Sequence, residues 1–131
     1  MKTMLTSHFL SVLSLALFTF IGCKKSGSGD RVEAVPILKV GGAYAVSSTS
    51  IEVSGVVTNN VSWTETGVYY MVAASGETEH YIPVTTAPQQ EIHGTITGLT
   101  PNTVYFVGVY AKNSGGKGEA GYSNSVQTPS K

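Results

Sequence analysis

The feature that most constrains this chain is a two-residue alternation of apolar and polar side chains from about residue 36 to residue 128, cut at intervals by Gly, Pro and Asn. Successive side chains on a strand point to opposite faces, whereas a helix needs a repeat near 3.6 residues. From Glu33 to Thr128 no window sustains the helical repeat. Ser50 to Val57 sets Ile51, Val53, Gly55 and Val57 against Glu52, Ser54 and Val56, and Asn59-Asn60 then marks a turn. Gly67 to Val72 sets Val68, Tyr70 and Val72 against Tyr69 and Met71. After a break at Ala74-Ser75-Gly76, Thr78 to Val84 resumes, and Pro83 places that strand at an edge because it has no N–H for a central ladder. Glu91 to Thr97 sets Ile92, Gly94 and Ile96 against His93, Thr95 and Thr97. Thr103 to Lys112 is the longest strand, with Tyr105, Val107, Val109 and Ala111 opposite Phe106, Gly108, Tyr110 and Lys112. Asn113 to Gly118 reads as an open glycine-rich loop, and Tyr122 to Thr128 as the last strand.

With Pro36–Val46 as the first, these make seven strands, the number and spacing of an all-β, immunoglobulin-like β-sandwich. A chain of 131 residues has room for one such domain. Eight basic residues balance eight acidic ones, which argues against a phosphate-binding surface for nucleic acid. One cysteine excludes an intramolecular disulfide and a cysteine-rich zinc cage.

The first 22 residues read as an export signal. Lys2 precedes the apolar run Phe9–Phe20, which is too short for a bilayer core that takes about 20 residues and suits the apolar region of a signal peptide. Phe20-Ile21-Gly22-Cys23 then resembles the lipobox of bacterial lipoproteins, with Phe20 where Leu is commoner. The resemblance implies cleavage after Gly22 and lipidation at Cys23. Two or three acyl chains hold a protein on a membrane that it does not span. Residues 23–35 form a tether that includes Lys24-Lys25-Ser26-Gly27-Ser28-Gly29, a composition that behaves as flexible coil. The expected location is the cell envelope, at the outer membrane, with both leaflets open.

A second resemblance rests on Gly98-Leu99-Thr100-Pro101-Asn102-Thr103-Val104-Tyr105, followed by alternating Val107 and Val109 and then Ala111-Lys112-Asn113. This looks like the E–F turn and F strand of a fibronectin type III domain, in the variant found in Bacteroidota lipoproteins, and it extends over residues 36–129. It implies a tyrosine corner: the Tyr105 hydroxyl bonds backbone upstream, Leu99 packs beneath the ring and Pro101 fixes the turn. The family often carries a buried Trp on strand B, where this chain has Gly55. Either Trp63 swings back over that gap or the core is thinner there; exposed on a loop, Trp63 becomes a ligand candidate.

Reactive constellations are missing by count. Beyond the signal there are two histidines, His80 and His93, and the sole Asp, Asp30, lies in the tether. That leaves no supported triad, no calcium-type Asp cluster and no closely spaced zinc ligands. No phosphate-binding glycine loop precedes a helix. The expectation is a protein without catalysis, metal or cofactor. Function then falls to the surface. The fibronectin type III likeness places strands C, F and G in one sheet, and the alternation turns Tyr69, Met71, Phe106 and Tyr110 outward, with Gly108 as a flat, open step between the aromatics of F. This face is the candidate binding face. A protein partner in the envelope is expected, with a glycan stacked on Tyr69, Phe106 and Tyr110 as the alternative.

Overall fold

The computed structural model describes residues 32–84, 90–121 and 124–131. The signal segment 1–22, Cys23 and the tether up to Arg31 lie outside the described residues. Eight strands follow in order: β1 (Leu38–Ser47), β2 (Ser50–Val57), β3 (Glu65–Val72), β4 (His80–Pro83), β5 (Glu91–Ile96), β6 (Val104–Asn113), β7 (Gly116–Ala120) and β8 (Ser125–Gln127). The described residues contain no helix.

The strands form two antiparallel sheets, β1-β2-β5 and β4-β3-β6-β7, with β8 also paired to β6. The chain therefore has an immunoglobulin-like β-sandwich, as its alternation predicts. Alternation explains why these segments pair as they do, because register is fixed wherever one face must be buried. Ile51, Val53 and Val57 of β2 and Ile92 and Ile96 of β5 face Val68 of β3 and Tyr105, Val107, Val109 and Ala111 of β6 in one core. Each Val or Ile fully withdrawn from water contributes about 1.5–3 kcal/mol before the cost of ordering the chain.

Strand β4 is an edge, with Pro83 in it, so the missing N–H interrupts no central ladder. Gly55 is buried and leaves no gap. A Cβ there would stand 2.6 Å from Val109 Cγ2, so Val109 of the opposite sheet occupies the space. Trp63 packs against the core, half-buried, and is not the residue that fills the place at Gly55.

The glycine-rich stretch after Asn113 is the main departure from the expected layout. It turns tightly at Ser114 and Gly115 and continues as β7, with Ala111 paired to Gly118 and Asn113 to Gly116. Two strands, β7 and β8, thus run along the same side of β6, separated at Gly121, whose φ of 125° breaks the ladder. Low strand propensity hid β7 from the sequence. What favours it is the close passage of the incoming chain: a Cβ on Gly118 would stand 1.8 Å from the Pro36 carbonyl oxygen.

The turn between β5 and β6 is built around Tyr105, whose hydroxyl accepts a 2.9 Å hydrogen bond from the Thr100 N–H while its ring is buried. This is the geometry of a tyrosine corner. Leu99 is buried in the same core, and Gly98 and Asn102 take up φ of 74° and 53°, the left-handed conformation that Gly and Asn adopt at least cost. Pro101 sits between them, and its carbonyl accepts from the Thr103 hydroxyl. Thr128, at the far end of the chain, completes the corner. Its buried hydroxyl accepts from the Thr103 N–H at 3.0 Å and donates to the Thr100 carbonyl at 2.7 Å.

Candidate interaction face

The outer face of the five-stranded sheet carries the residues that alternation turned outward. Val68, Val107 and Val109 enter the core, so their neighbours Tyr69, Met71, Phe106 and Tyr110 point away from it. Orientation alone does not make them accessible, and here the sequence expectation divides in two.

Tyr69 and Tyr110 are each 0% exposed. Register explains this. Tyr69 pairs directly with Gly108 and Tyr110 with Gly67, so each ring has a glycine opposite it on the neighbouring strand. A Cβ on Gly108 would stand 2.5 Å from Tyr69 Cζ, and one on Gly67 would stand 2.6 Å from Tyr110 Cε1. The rings therefore lie down across the sheet. Gly108 is not an open step, because the Tyr69 ring lies on it.

Tyr81 of β4 closes the group, with its ring 5.6 Å from Tyr69 and edge-on to Tyr110 at 5.1 Å between centroids. Charged groups then seal the rim. Lys117 Nζ lies 3.8 Å above the Tyr81 ring and 2.6 Å from Glu119, and the Tyr81 hydroxyl donates to Glu119 at 2.5 Å. Glu65 accepts from the Tyr110 hydroxyl at 2.7 Å and from Lys112 Nζ at 2.9 Å. Electrostatics follow this arrangement. Burial, and then the Glu65 carboxylate, push the Tyr110 hydroxyl upward. Burial, and then the Glu119 charge, do the same to Tyr69. The Lys112 ammonium and then the Tyr110 hydroxyl hold Glu65 below the ordinary carboxylate range. Aromatic faces and charges here are spent on one another. The stacking platform for a sugar that the sequence placed at Tyr69 and Tyr110 is absent.

Met71 and Phe106 behave differently. They pair with each other across β3 and β6, one step beyond the tyrosines, and both stay partly exposed. Val104 continues the strip on the same face of β6 and is 39% exposed. Ala73 lies beside it, donating its N–H to the Val104 carbonyl. A shallow hollow of about 520 Å³, lined by Val72, Ala73, Ala74, Asn102, Thr103 and Val104, adjoins this end. Of the four residues singled out from the sequence, the structure thus leaves Met71 and Phe106 accessible and adds Val104. Val104 lay outside the expected set, although as the first residue of β6 it shares the face of Phe106.

Elsewhere the titratable groups are dispersed. His93 is exposed, 3.5 Å from the Glu91 carboxylate, and His80 stacks on Tyr70 at 4.9 Å between centroids. Among the described residues no three of His, Cys, Asp and Glu converge as a metal site would require.

No protein-family profile matches the chain, and no curated protein matches it. Solved structures do. The FN1–FN3 domains of chicken CNTN1 align at 27% identity with a TM-score of 0.57 over 76% of this chain, which spans 33% of that one. The fn3 domain of the human collagen alpha-1(XX) chain aligns at 21% identity and a TM-score of 0.54, covering 75% of this chain and 87% of that one. The FN5 domain of Drosophila Lar aligns at 23% identity and a TM-score of 0.52, covering 76% and 99%. The fold is therefore that of a fibronectin type III domain.

Proposed function

We propose that this chain is a non-catalytic module of the bacterial cell envelope, lipid-anchored at Cys23 in the outer membrane, that binds a protein partner through the outer face of its five-stranded sheet. The observation that carries the reading is the contrast on that face. One half is closed on itself by Tyr69, Tyr81, Tyr110 and their charged partners, whereas Met71, Phe106 and Val104 leave apolar surface uncovered beside it. Apolar surface with a polar surround is the usual make-up of an interface. Fold likeness adds an analogy, since sandwiches of this kind serve as recognition modules in many proteins. The sequence adds the anchor, through Phe20-Ile21-Gly22-Cys23.

The two parts of the reading are tested separately. Cys23→Ser should leave an unlipidated, uncleaved precursor in the native bacterium, and normal processing of that variant would refute the anchor. A photo-crosslinking side chain placed at Phe106 should give one defined protein adduct in native membranes. The same probe at Tyr44, exposed on the other sheet, should not. No adduct from position 106, or the same products from both positions, would refute the binding face.

A further inference from the structure

Ahead of β1, residues Glu33–Ile37 cross the end of the sandwich where β2 leads to β3 and β6 leads to β7. Side chains from both connections hold them. The Glu33 carboxylate accepts from the Ser62 hydroxyl, from the Ser62 N–H at 3.1 Å and from the Ser114 hydroxyl at 2.8 Å. The Asn113 amide donates to the Ala34 carbonyl at 2.7 Å while its oxygen accepts from the Gly115 N–H at 2.9 Å. Asn59 grips Val35 and Ile37 on either side of Pro36, donating to the Val35 carbonyl at 3.0 Å and accepting from the Ile37 N–H at 2.8 Å. The seat beneath is cleared by glycine. A Cβ on Gly115 would stand 1.7 Å from the Glu33 carbonyl oxygen, as one on Gly118 would from Pro36 at 1.8 Å.

We propose that Glu33–Ile37 is a latched strap, which opens and closes on the sandwich as a unit of its own, with Glu33 and Asn59 as its latch. Two features separate it from the body. Ahead of the Ile37 carbonyl, which accepts from the Thr58 N–H at 2.7 Å where pairing with β2 begins, its hold is made by polar side chains near water, and Val35 and Ile37 remain exposed, so opening uncovers little beyond Pro36. Segments that bury little apolar surface open well below the free energy of global unfolding. Its position gives the separation a use. Any pull on the chain preceding Val32 reaches these residues before it reaches a strand ladder. The strap then yields first and spares the pairing of β2, β3 and β6. This holds whether or not the preceding chain carries lipid.

Amide hydrogen exchange on the mature chain tests the strap. In the wild type, exchange at Ile37 should depend only weakly on denaturant, whereas exchange at Val109 should rise steeply with it, because global opening exposes far more surface. Glu33→Ala should speed exchange at Ile37 and Ser62 by about tenfold and leave Val68 and Val109 unchanged. Coincident denaturant dependence at Ile37 and Val109 in the wild type would overturn the proposal. So would unchanged exchange at Ile37 in the variant, or equal acceleration at all four positions.

Discussion

The ring of Tyr69 lies on Gly108, its direct cross-strand neighbour, and the same relationship is repeated in reverse two residues along, where Tyr110 lies on Gly67. An aromatic ring on a strand glycine recovers the contact that the missing side chain would have made. It also makes the glycine irreplaceable. Gly108→Ala would set a Cβ 2.5 Å from Tyr69 Cζ and 2.2 Å from the Ala120 carbonyl oxygen, and the latter is backbone that cannot swing aside. The expected loss is about 3 kcal/mol, the upper range for overpacking, read from the shift in denaturant midpoint. Unchanged stability would mean that the ring does not occupy that site.

Removing single oxygens should weaken the tyrosine corner from both ends of the chain. Tyr105→Phe deletes the acceptor for the Thr100 N–H and should cost about 1 kcal/mol. Thr128→Val leaves the partly buried Thr103 N–H without the partner it has in the native protein and should cost about 1–3 kcal/mol. Chemical denaturation checks both. A Thr128→Val variant as stable as the wild type would show that the C-terminal residues do not brace the turn.

Alkali should destabilise the sandwich earlier than an ordinary set of exposed tyrosines would. Burial raises Tyr69 and Tyr110 above their ordinary value of 10.0. A raised folded-state value means that the native state keeps its protons while the unfolded chain loses them. Stability is therefore complete below pH 10 and falls as pH rises beyond it. Tyrosinate absorbance and circular dichroism followed together should show ionisation of these two only with unfolding. Tyr69→Phe should shallow the alkaline slope, and an unchanged slope would place the ring in water.

Acid should act on Glu65 with the opposite sign. Lys112 and Tyr110 lower its carboxyl below the ordinary 4.5. A lowered folded-state value gives stability that is present above 4.5 and is lost as pH falls through the folded value. Glu65→Gln should flatten the acid limb of a stability-against-pH curve and also make the alkaline limb somewhat shallower, because the Glu65 carboxylate helps raise Tyr110. The effect should be modest, because the Lys112 and Glu65 side chains are 42% and 37% exposed.

Much of the architecture was legible because burial leaves its period in the sequence. The alternation in Ser50–Val57 became the alternating exposure of β2, and Pro83 marked an edge strand. The pattern Leu99-x-Pro101-x-Thr103-x-Tyr105 pointed to a corner whose bond to the Thr100 N–H is present. β7 was not legible, because Gly116 and Gly118 carry no side chain to alternate. Their strand exists through pairing with β6 and the passage of Pro36 overhead, contacts made between distant parts of the chain.

The binding face shows the same division. The sequence by itself determined that Tyr69, Met71, Phe106 and Tyr110 point away from the core, because side-chain direction along a strand is a local property of the backbone. Tertiary structure alone decided which of them reach water. That depended on register across β3 and β6, which set glycines opposite the two tyrosines and set Met71 opposite Phe106, and on Tyr81 arriving from the edge strand. Direction follows from neighbours in the chain; exposure follows from neighbours in space.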